Sequence, residues 1–331
     1  MNVRNAPRDT VGQAIFTRKG GSMKSRFAIL TAAVALASAL QPTQAQNLTK
    51  LAIGYPPALD FLPAIVAKER GCLAKAGYDA QLTVVPIATN IPPALLSGSL
   101  QIGMSTPTIL LPAVENGLDV AAIAGMSWMA KGNEGVSIVA RPDLKVDAAS
   151  KLEGMKIGVP GLMSVADLVF RKWLTTSGVP ANKVVYVEVA LPRMAEMLKS
   201  KTLDGVVTVE PVMSGLVAQG LGRRAEVEYY SSVADGAMIT FWAATGAWAR
   251  KNPEAIRAFR ACLNESATWI KTNREEASEM GKKYLNVSSS FTPNWKVEIV
   301  PDDFSFFVDV SREFGLIRSN VDTQKLVFLP D

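Results

Sequence analysis

Histidine is absent from the 331 residues of this chain. Its absence excludes Ser-His-Asp and Cys-His catalytic sites and every metal site with an imidazole ligand. The glycine-containing stretches Gly220–Gly222 and Ile157–Gly161 lack the third glycine and the spacing of a dinucleotide-binding loop. The residues therefore predict no catalytic group, no metal ion and no cofactor.

Cysteine is nearly absent as well, because only Cys72 and Cys262 occur. An exported protein could oxidise this pair to a disulfide. The alternative is two separate thiols that never meet. Since a sequence gives no distance between the two residues, both alternatives stay open.

An excess of one charge is confined to the start of the chain. The whole sequence has 35 basic and 30 acidic residues. The segment 1–45 has one acid, Asp9, and holds the bases Arg4, Arg8, Arg18, Lys19, Lys24 and Arg26. The remainder has equal numbers of both charges, so it offers no basic surface for nucleic acid or for an anionic membrane.

One long apolar run is present, the 14 residues Phe27–Leu40. It follows the basic stretch Met23–Arg26 and precedes the small residues around Ala45. The run is too short to span a bilayer and is typical of a secretory signal peptide. We expect translation to start at Met23, cleavage after Ala45, no lipid-anchor cysteine and a periplasmic mature protein.

From Leu51 onward the pattern alternates between strands and helices. Leu51–Gly54 predicts a strand, Tyr55–Asp60 a loop, and the residues up to Glu69 a helix. Repeats of this unit predict an α/β fold with mostly parallel sheets flanked by helices. In such sheets, ligands bind where a strand's carboxyl end meets a helix N-terminus.

The pattern restarts about 100 residues later. Ile53–Pro56 and Ile157–Pro160 share the pattern I-G-x-P at an offset of 104 positions, and Leu95–Leu100 aligns with Leu198–Leu203 at an offset of 103. This degenerate duplication predicts two similar lobes. We expect residues 46–133 and 234–331 to form lobe 1, and residues 134–233 to form lobe 2.

Two polar segments, Ala130–Gly135 and Ser231–Gly236, are interpreted as crossings between the lobes. Val227–Tyr230 predicts a strand just before the second crossing. Met238–Thr245 predicts a strand that returns to lobe 1.

Several motifs carry a family resemblance over residues 48–331. They are A-K-E-R-G at Ala67–Gly71, L-S-G-S-L-Q-I-G at Leu96–Gly103, Glu210-Pro211 and Asn252-Pro253-Glu254. The chain resembles solute-binding proteins of ABC importers, of the nitrate/sulfonate/taurine type that includes thiamine-precursor binders. The resemblance implies a two-lobe, type II-like periplasmic-binding-protein fold with two crossing segments as its hinge.

The sequence departs from this group at the turn after the Leu96 helix. The usual G-x-x-D reads Gly98-Ser99-Leu100-Gln101, and lobe 2 keeps the acid as Asp204 but has Lys201 in place of the glycine. Because both sites lie at a helix-to-strand turn, we interpret them as structural positions and not as ligand contacts.

Candidate ligand residues follow predicted strand ends or lie at the crossings. They are Tyr55, Pro56, Ala58, Thr89, Asn90, Ser105, Thr106, Trp128, Met163, Ser164, Arg193 and Glu210. Each has a purely structural alternative: a buried tyrosine on a rigid turn, helix N-caps, a tryptophan or glutamate bracing the hinge, or a solvated arginine. Asp235 is interpreted as a hinge residue.

The resemblance implies a monomer that closes on a small solute. Because few charged residues are expected in the cleft, and because Tyr55 and Trp128 indicate a partly apolar pocket, we expect a small organic anion or an aromatic, pyrimidine-like solute, with sulfonates and aromatic carboxylates favoured. A permease with its ATPase would receive the solute. One alternative is an enzyme on the same fold, of the pyrimidine-precursor or menaquinone-pathway type. Another is a secreted ligand-sensing interaction module.

Overall fold

The structure, a computed structural model, describes residues 47–285 and 291–330 together with the single residue Thr17. The expected signal peptide, its start at Met23 and its cleavage after Ala45 lie outside the described residues. Within the described ranges, no helix combines the length and the apolar character needed to cross a membrane.

Strands and helices alternate along the chain, as the sequence predicts. The strands are β1 (Thr49–Tyr55), β2 (Tyr78–Val84), β3 (Ile102–Ser105), β4 (Val120–Trp128), β5 (Val136–Ala140), β6 (Lys156–Val159), β7 (Val185–Glu188), β8 (Gly205–Val209), β9 (Arg223–Arg224), β10 (Met238–Thr245) and β11 (Asn294–Trp295). The helices are α1 (Leu62–Glu69), α2 (Cys72–Lys75), α3 (Ile91–Leu96), α4 (Pro107–Glu115), α5 (Val165–Thr176), α6 (Met194–Lys199), α7 (Val212–Ala218), α8 (Ser231–Ala234), α9 (Gly246–Lys251), α10 (Pro253–Thr272), α11 (Arg274–Leu285) and α12 (Ser305–Glu313).

The first sheet has six strands in the order β11-β4-β10-β3-β1-β2. Strand β1 pairs in parallel with both β2 and β3, whereas β10 lies antiparallel between β3 and β4. The predicted return of Met238–Thr245 to the first sheet is therefore confirmed. Every residue of β4 is buried, which explains why this strand shows no apolar–polar alternation.

The second sheet has five strands in the order β7-β6-β8-β5-β9. Strand β6 pairs in parallel with β7 and β8, and β5 lies antiparallel between β8 and β9. In each sheet, the strand that follows a crossing, β5 or β10, is antiparallel to both of its neighbours. Both sheets are thus mixed, and the predicted parallel arrangement holds for the strand–helix–strand units.

The two sheets repeat one arrangement. Helices α3 and α6 begin at Ile91 and Met194, and strands β3 and β8 begin at Ile102 and Gly205, in each case 103 positions apart. The strand orders β2-β1-β3-β10 and β7-β6-β8-β5 also correspond. The internal duplication that the short sequence matches predict is therefore present in the fold.

The turn that follows α3 and α6 explains one departure from the family pattern. Gly98 has a φ of 77°, and Lys201, at the equivalent position, has a φ of 58°. The chain leaves both helices through a left-handed residue, a conformation that favours glycine. Lys201 thus keeps the turn geometry at some cost in backbone strain.

Cys72 and Cys262 form a disulfide that joins α2 to α10. The bond settles the two alternatives that the sequence left open. On the same side of the first sheet, Trp242 is fully buried between the rings of Phe61 and Phe259, with ring centroids 5.6 and 5.2 Å away. This aromatic core, covered by α1 and α10, holds the first sheet in place.

The strand predicted at Val227–Tyr230 is absent from the described chain, and this prediction is wrong. The edge strand lies earlier, at Arg223–Arg224, and the short helix α8 begins at Ser231. Aromatic and β-branched residues favour strands, but here the tertiary packing of Tyr229 and Tyr230 decides the local structure.

Candidate functional site

Two crossing segments link the sheets: residues 129–135, between β4 and β5, and residues 225–237, between β9 and β10. The Met129 N–H donates to the Ala237 carbonyl at 2.8 Å, and the Lys131 N–H donates to the Asp235 carboxylate at 3.0 Å. The segments therefore run side by side. Asp235 joins them, in agreement with its interpretation as a hinge residue.

Glu134, in the first crossing segment, is a buried acid with one unused oxygen. Its residue exposure is 5%. One carboxylate oxygen accepts the Ser231 N–H at 3.0 Å. The other makes no hydrogen bond to any described residue and lies 4.0 Å from the Arg224 guanidinium, which is half exposed. A buried carboxylate with such incomplete pairing is energetically costly.

Tyr229, Tyr230 and Ser231 follow one another in the second crossing segment, and all three are buried. None of their hydroxyl groups has a hydrogen-bond partner within the described residues. Burial raises the pKa of both tyrosines, and the charge of Glu134 acts on each of them in the same direction. Both hydroxyls are therefore neutral at physiological pH and able to donate.

Asp60 is an acid of the first lobe whose carboxyl group is buried, next to the end of β4. It lies in the short turn between β1 and α1, where Ser127, at the end of β4, donates a hydrogen bond to it. The residue as a whole keeps some exposure, yet burial raises the pKa of its carboxyl group. Its charge also acts on the Tyr230 hydroxyl. We call Glu134, Tyr230 and Ser231 the crossing cluster.

The loop after β6 is held by internal contacts. The Ser164 hydroxyl accepts the Asp167 N–H at 3.4 Å and so caps α5. The Asp167 carboxylate, fully buried, accepts the Met163 N–H at 2.7 Å and the Arg171 Nε at 2.9 Å. Burial raises the pKa of this carboxyl, and Arg171 opposes the rise. The predicted residues Met163 and Ser164 are thus fixed at the start of α5.

The candidate ligand residues in the loop after β1 differ in how far they are exposed. Tyr55 is 1% exposed, and its ring lies 5.4 Å from that of Phe61, at the end of the aromatic core. Its hydroxyl has no partner in the part of the chain that is described. Pro56 and Ala58 keep intermediate exposure on the turn that follows.

The loops before α3 and α4 differ in exposure. Thr89 and Asn90 are exposed, whereas Ser105 is buried and Thr106 is half-buried. Within the described residues neither Asn90 nor Thr106 makes a side-chain cap, so capping does not account for them. The Thr106 hydroxyl instead lies 3.1 Å from that of Thr108.

Three further candidates lie around the crossings. Trp128 is buried, donates its indole N–H to the Lys296 carbonyl at 2.9 Å and carries the Lys296 ammonium 4.1 Å from its ring centre. Glu210 is buried beside a cis bond to Pro211, and its carboxylate accepts the Ser214 hydroxyl at 2.6 Å. Arg193 is exposed.

The sequence pattern does not single out the crossing cluster. It predicts a strand at Tyr230 and only a connection at the glycine-rich polar stretch that contains Glu134. The acid Glu134 within this stretch is the one sequence feature that could have pointed to the cluster. For cofactors, no group of three His, Cys, Asp or Glu side chains in the described ranges could hold a metal ion.

Known proteins resemble this chain at low identity. The nitrate/nitrite binding protein NrtA of Nostoc sp. (strain PCC 7120 / SAG 25.82 / UTEX 2576) is 25% identical over 272 residues, which cover 73% of this chain and 59% of NrtA. This chain thus spans about three fifths of that relative's length. The riboflavin-binding protein RibY of Chloroflexus aurantiacus (strain ATCC 29366 / DSM 635 / J-10-fl) is 22% identical over 290 residues, covering 83% of this chain and 77% of RibY.

The fold matches solved binding proteins. The periplasmic aliphatic sulphonate binding protein SsuA from Escherichia coli superposes with a TM-score of 0.72 at 17% identity, covering 84% of this chain and 97% of SsuA. This match confirms the predicted periplasmic-binding-protein fold. The resemblance found in the sequence is confirmed too: the model of the NMT1-like family matches residues 44–283, and the chain therefore belongs to the NMT1-like family.

Proposed function

We propose that the chain is the extracytoplasmic solute-binding component of an ABC importer. Unpartnered polar atoms at the crossings carry this proposal. The Tyr230 hydroxyl, the Ser231 hydroxyl and one Glu134 oxygen are buried without a hydrogen-bond partner among the described residues. Each such group costs about 1–3 kcal/mol when left unpaired. A small polar solute held between the sheets would pair with them.

A two-lobe fold with a hinge offers a mechanism for capturing the solute. We propose that residues 46–133 and 234–331 form one lobe and residues 134–233 the other, with the crossing segments as the hinge. Opening and closing about two short linkers is a common motion of two-lobe proteins. The Lys131–Asp235 contact would keep the two linkers in register during this motion.

We propose that the predicted ligand loops of both lobes surround the site. We propose that the solute contacts the loops at Tyr55–Ala58, Ser105–Thr106 and Met163–Ser164 in addition to the crossing cluster. Trp128 and Glu210 already have internal partners, which favours a bracing role for them. The exposed residues Thr89, Asn90 and Arg193 would reach the solute only at the mouth of the cleft.

The names of the relatives support the binding of a small solute. NrtA, RibY and SsuA are all named as binding proteins. By analogy, the partners of this chain would be a membrane permease and its ATPase, and a monomer in the periplasm would deliver the solute. The sequence favours a sulfonate or an aromatic carboxylate as that solute.

Ligand-dependent stabilisation tests the proposal. The chain is unfolded, dialysed to remove any carried-over solute, refolded and melted with sulfonates, aromatic acids, pyrimidines, nitrate and amino acids. A solute at about 100 times its dissociation constant should raise the free energy of unfolding by about 2.7 kcal/mol. Recovering the solute unchanged would distinguish binding from catalysis.

The matched variants are Tyr230→Phe, which removes only the buried hydroxyl, and Tyr78→Phe, which removes a hydroxyl from β2 far from the crossings in sequence. We expect Tyr230→Phe to weaken binding and Tyr78→Phe to leave it unchanged. A correctly refolded protein that binds no member of the panel would contradict the proposed function.

A further inference from the structure

Helix α12 contacts helices of both sheets. It packs against α4, which follows β3 of the first sheet, and against α5, which follows β6 of the second sheet. Its apolar side chains Phe307, Val308 and Val310 are buried. The chain has already returned to the first sheet, at β10, before it reaches α12. The helix therefore reaches the second sheet at a place that belongs to neither crossing segment.

The chain that follows α12 is tied to the first sheet at two points. Glu115, the last residue of α4, accepts the N–H groups of Arg318 and Ser319 at 2.8 and 2.6 Å. Further along, the Phe328 N–H donates to the Ala122 carbonyl of β4 at 2.9 Å. Because these bonds hold the C-terminal side of α12 to α4 and β4, we expect the helix to move together with the first sheet.

The attachment of α12 to the second sheet includes an ion pair. The Lys172 ammonium of α5 donates to the Glu313 carboxylate, at the end of α12, at 2.7 Å. The two side chains are 28% and 42% exposed. Water and salt therefore weaken the pair, so that it can break and form again. A rotation of one sheet relative to the other would have to stretch this contact.

These attachments lie away from the candidate ligand residues at the starts of the two helices. Thr106 precedes α4, and Ser164 caps α5. Glu115 lies nine residues beyond Thr106, and Lys172 lies eight residues beyond Ser164. At about 1.5 Å of rise per residue, these separations are about 14 and 12 Å along the helices. The contacts of α12 thus act on the placement of the sheets and not on a solute at the helix starts.

We infer that α12 connects the two sheets in addition to the crossing segments, and that Lys172 and Glu313 are positioning residues that restrain the angle between the sheets. Two short linkers alone allow the joined parts to rotate. A contact away from the linkers favours the arrangements in which it is formed and so narrows the range of angles. This inference goes beyond the proposed function, and its test needs no solute.

The range of angles is measured by double electron–electron resonance between two spin labels. One label is attached through Gln81→Cys in β2 and the other through Glu153→Cys just before β6, both at exposed positions. Cys72 and Cys262 are joined to each other and take up no label. We expect a broader distance distribution for Glu313→Gln than for the parent, because the ion pair is lost. Lys172→Glu should broaden it further, because two carboxylates then face each other.

Two further variants separate the ion pair from a general effect of charge. Asp309→Asn also removes a carboxylate from α12, but that carboxylate pairs with Arg312 of the same helix at 3.0 Å. It is the matched control and should leave the distribution unchanged. The double reversal Lys172→Glu with Glu313→Lys forms the pair in the opposite sense and should restore the width of the parent. A melting curve of each variant reports whether it is folded.

Equal widths in the parent, Glu313→Gln and Lys172→Glu would overturn the inference. An effect of Asp309→Asn as large as that of Glu313→Gln, or a double reversal that restores nothing, would overturn it as well. If Lys172→Glu fails to fold, salt replaces it. At about 1 M salt the Debye length is about 3 Å, so the parent distribution should broaden while that of Glu313→Gln stays the same. An equal response of both proteins to salt would contradict the inference.

Discussion

Gln101 and Asp204 perform the same structural task, 103 positions apart. The Gln101 amide oxygen accepts the Ala52 N–H of β1 at 2.8 Å, and the Asp204 carboxylate accepts the Lys156 N–H of β6 at 2.8 Å. In each lobe, a side chain from the turn after a short helix thus accepts a backbone N–H of the neighbouring parallel strand, in the middle of β1 and at the start of β6. The missing aspartate of lobe 1 is replaced in function by an amide, which supports the structural interpretation of both positions.

This equivalence predicts that both residues matter for stability in the same way. Removing either acceptor by Gln101→Ala or Asp204→Ala should cost about 1–3 kcal/mol, because a backbone N–H loses its partner. Gln101→Asp should cost less than Gln101→Ala. Urea unfolding of the variants measures this, and a Gln101→Asp variant no more stable than Gln101→Ala would argue against a shared role.

The fold was more accessible from sequence than the site. The alternation of strands and helices and the strand Met238–Thr245 follow from local pattern, because each is a property of neighbouring residues. The duplication follows from comparing two such patterns about 103 positions apart. The orientation of Tyr230 is not such a property. Its residue type favours a strand, whereas tertiary packing in the second crossing segment buries its hydroxyl without a partner among the described residues.

The contact between Cys72 and Cys262 illustrates the same limit of local pattern. The two residues lie 190 positions apart in sequence, and α2 and α10 both pack against α1. No spacing rule connects such residues. Likewise, Gln101 departs from the family pattern in sequence but keeps its role, since the role depends on an oxygen atom and not on a residue type.

The disulfide between α2 and α10 should stabilise the first lobe measurably. Reduction, or the double substitution Cys72→Ser with Cys262→Ser, should lower the free energy of unfolding by about 2–4 kcal/mol, because the unfolded chain regains freedom. The unfolding midpoint in urea, with and without a reducing agent, provides the measurement. The double variant is the control, since a reducing agent should have no effect on it. An equal response of both proteins would show that the bond contributes nothing.

The buried pair of Asp167 and Arg171 should be among the most sensitive positions of the second lobe. Asp167→Ala removes the acceptor of the Met163 N–H and leaves Arg171, 18% exposed, without its partner. Because this exposure allows some rehydration, we expect a loss of about 3 kcal/mol, at the lower end for buried pairs. Asp309→Ala breaks the exposed pair with Arg312 and should cost less than about 1 kcal/mol. Similar losses for the two variants in urea unfolding would contradict the argument.

Glu115 should make the attachment of the C-terminal segment depend on pH. One of its carboxylate oxygens accepts the N–H groups of Arg318 and Ser319, at 2.8 and 2.6 Å, and the Ser319 hydroxyl at 2.7 Å. These bonds, led by that of the Ser319 N–H, hold the pKa of Glu115 below its ordinary value. Since the pKa is lower in the folded state, the stabilisation is complete above the ordinary glutamate pKa of about 4.3 and is lost as the pH falls through the folded-state value.

Glu115→Gln keeps an acceptor oxygen but removes the charge, so the variant should be less stable than the parent at pH 7. The difference should shrink as the pH is lowered below about 4.3, because the parent carboxylate then becomes protonated. Urea unfolding at pH 7, 5, 4 and 3 measures the difference, with Glu279→Gln on the exposed side of α11 as the control for removing a surface charge. A gap between parent and Glu115→Gln that widens towards low pH would mean that the carboxylate is not what holds residues 318 and 319 in place.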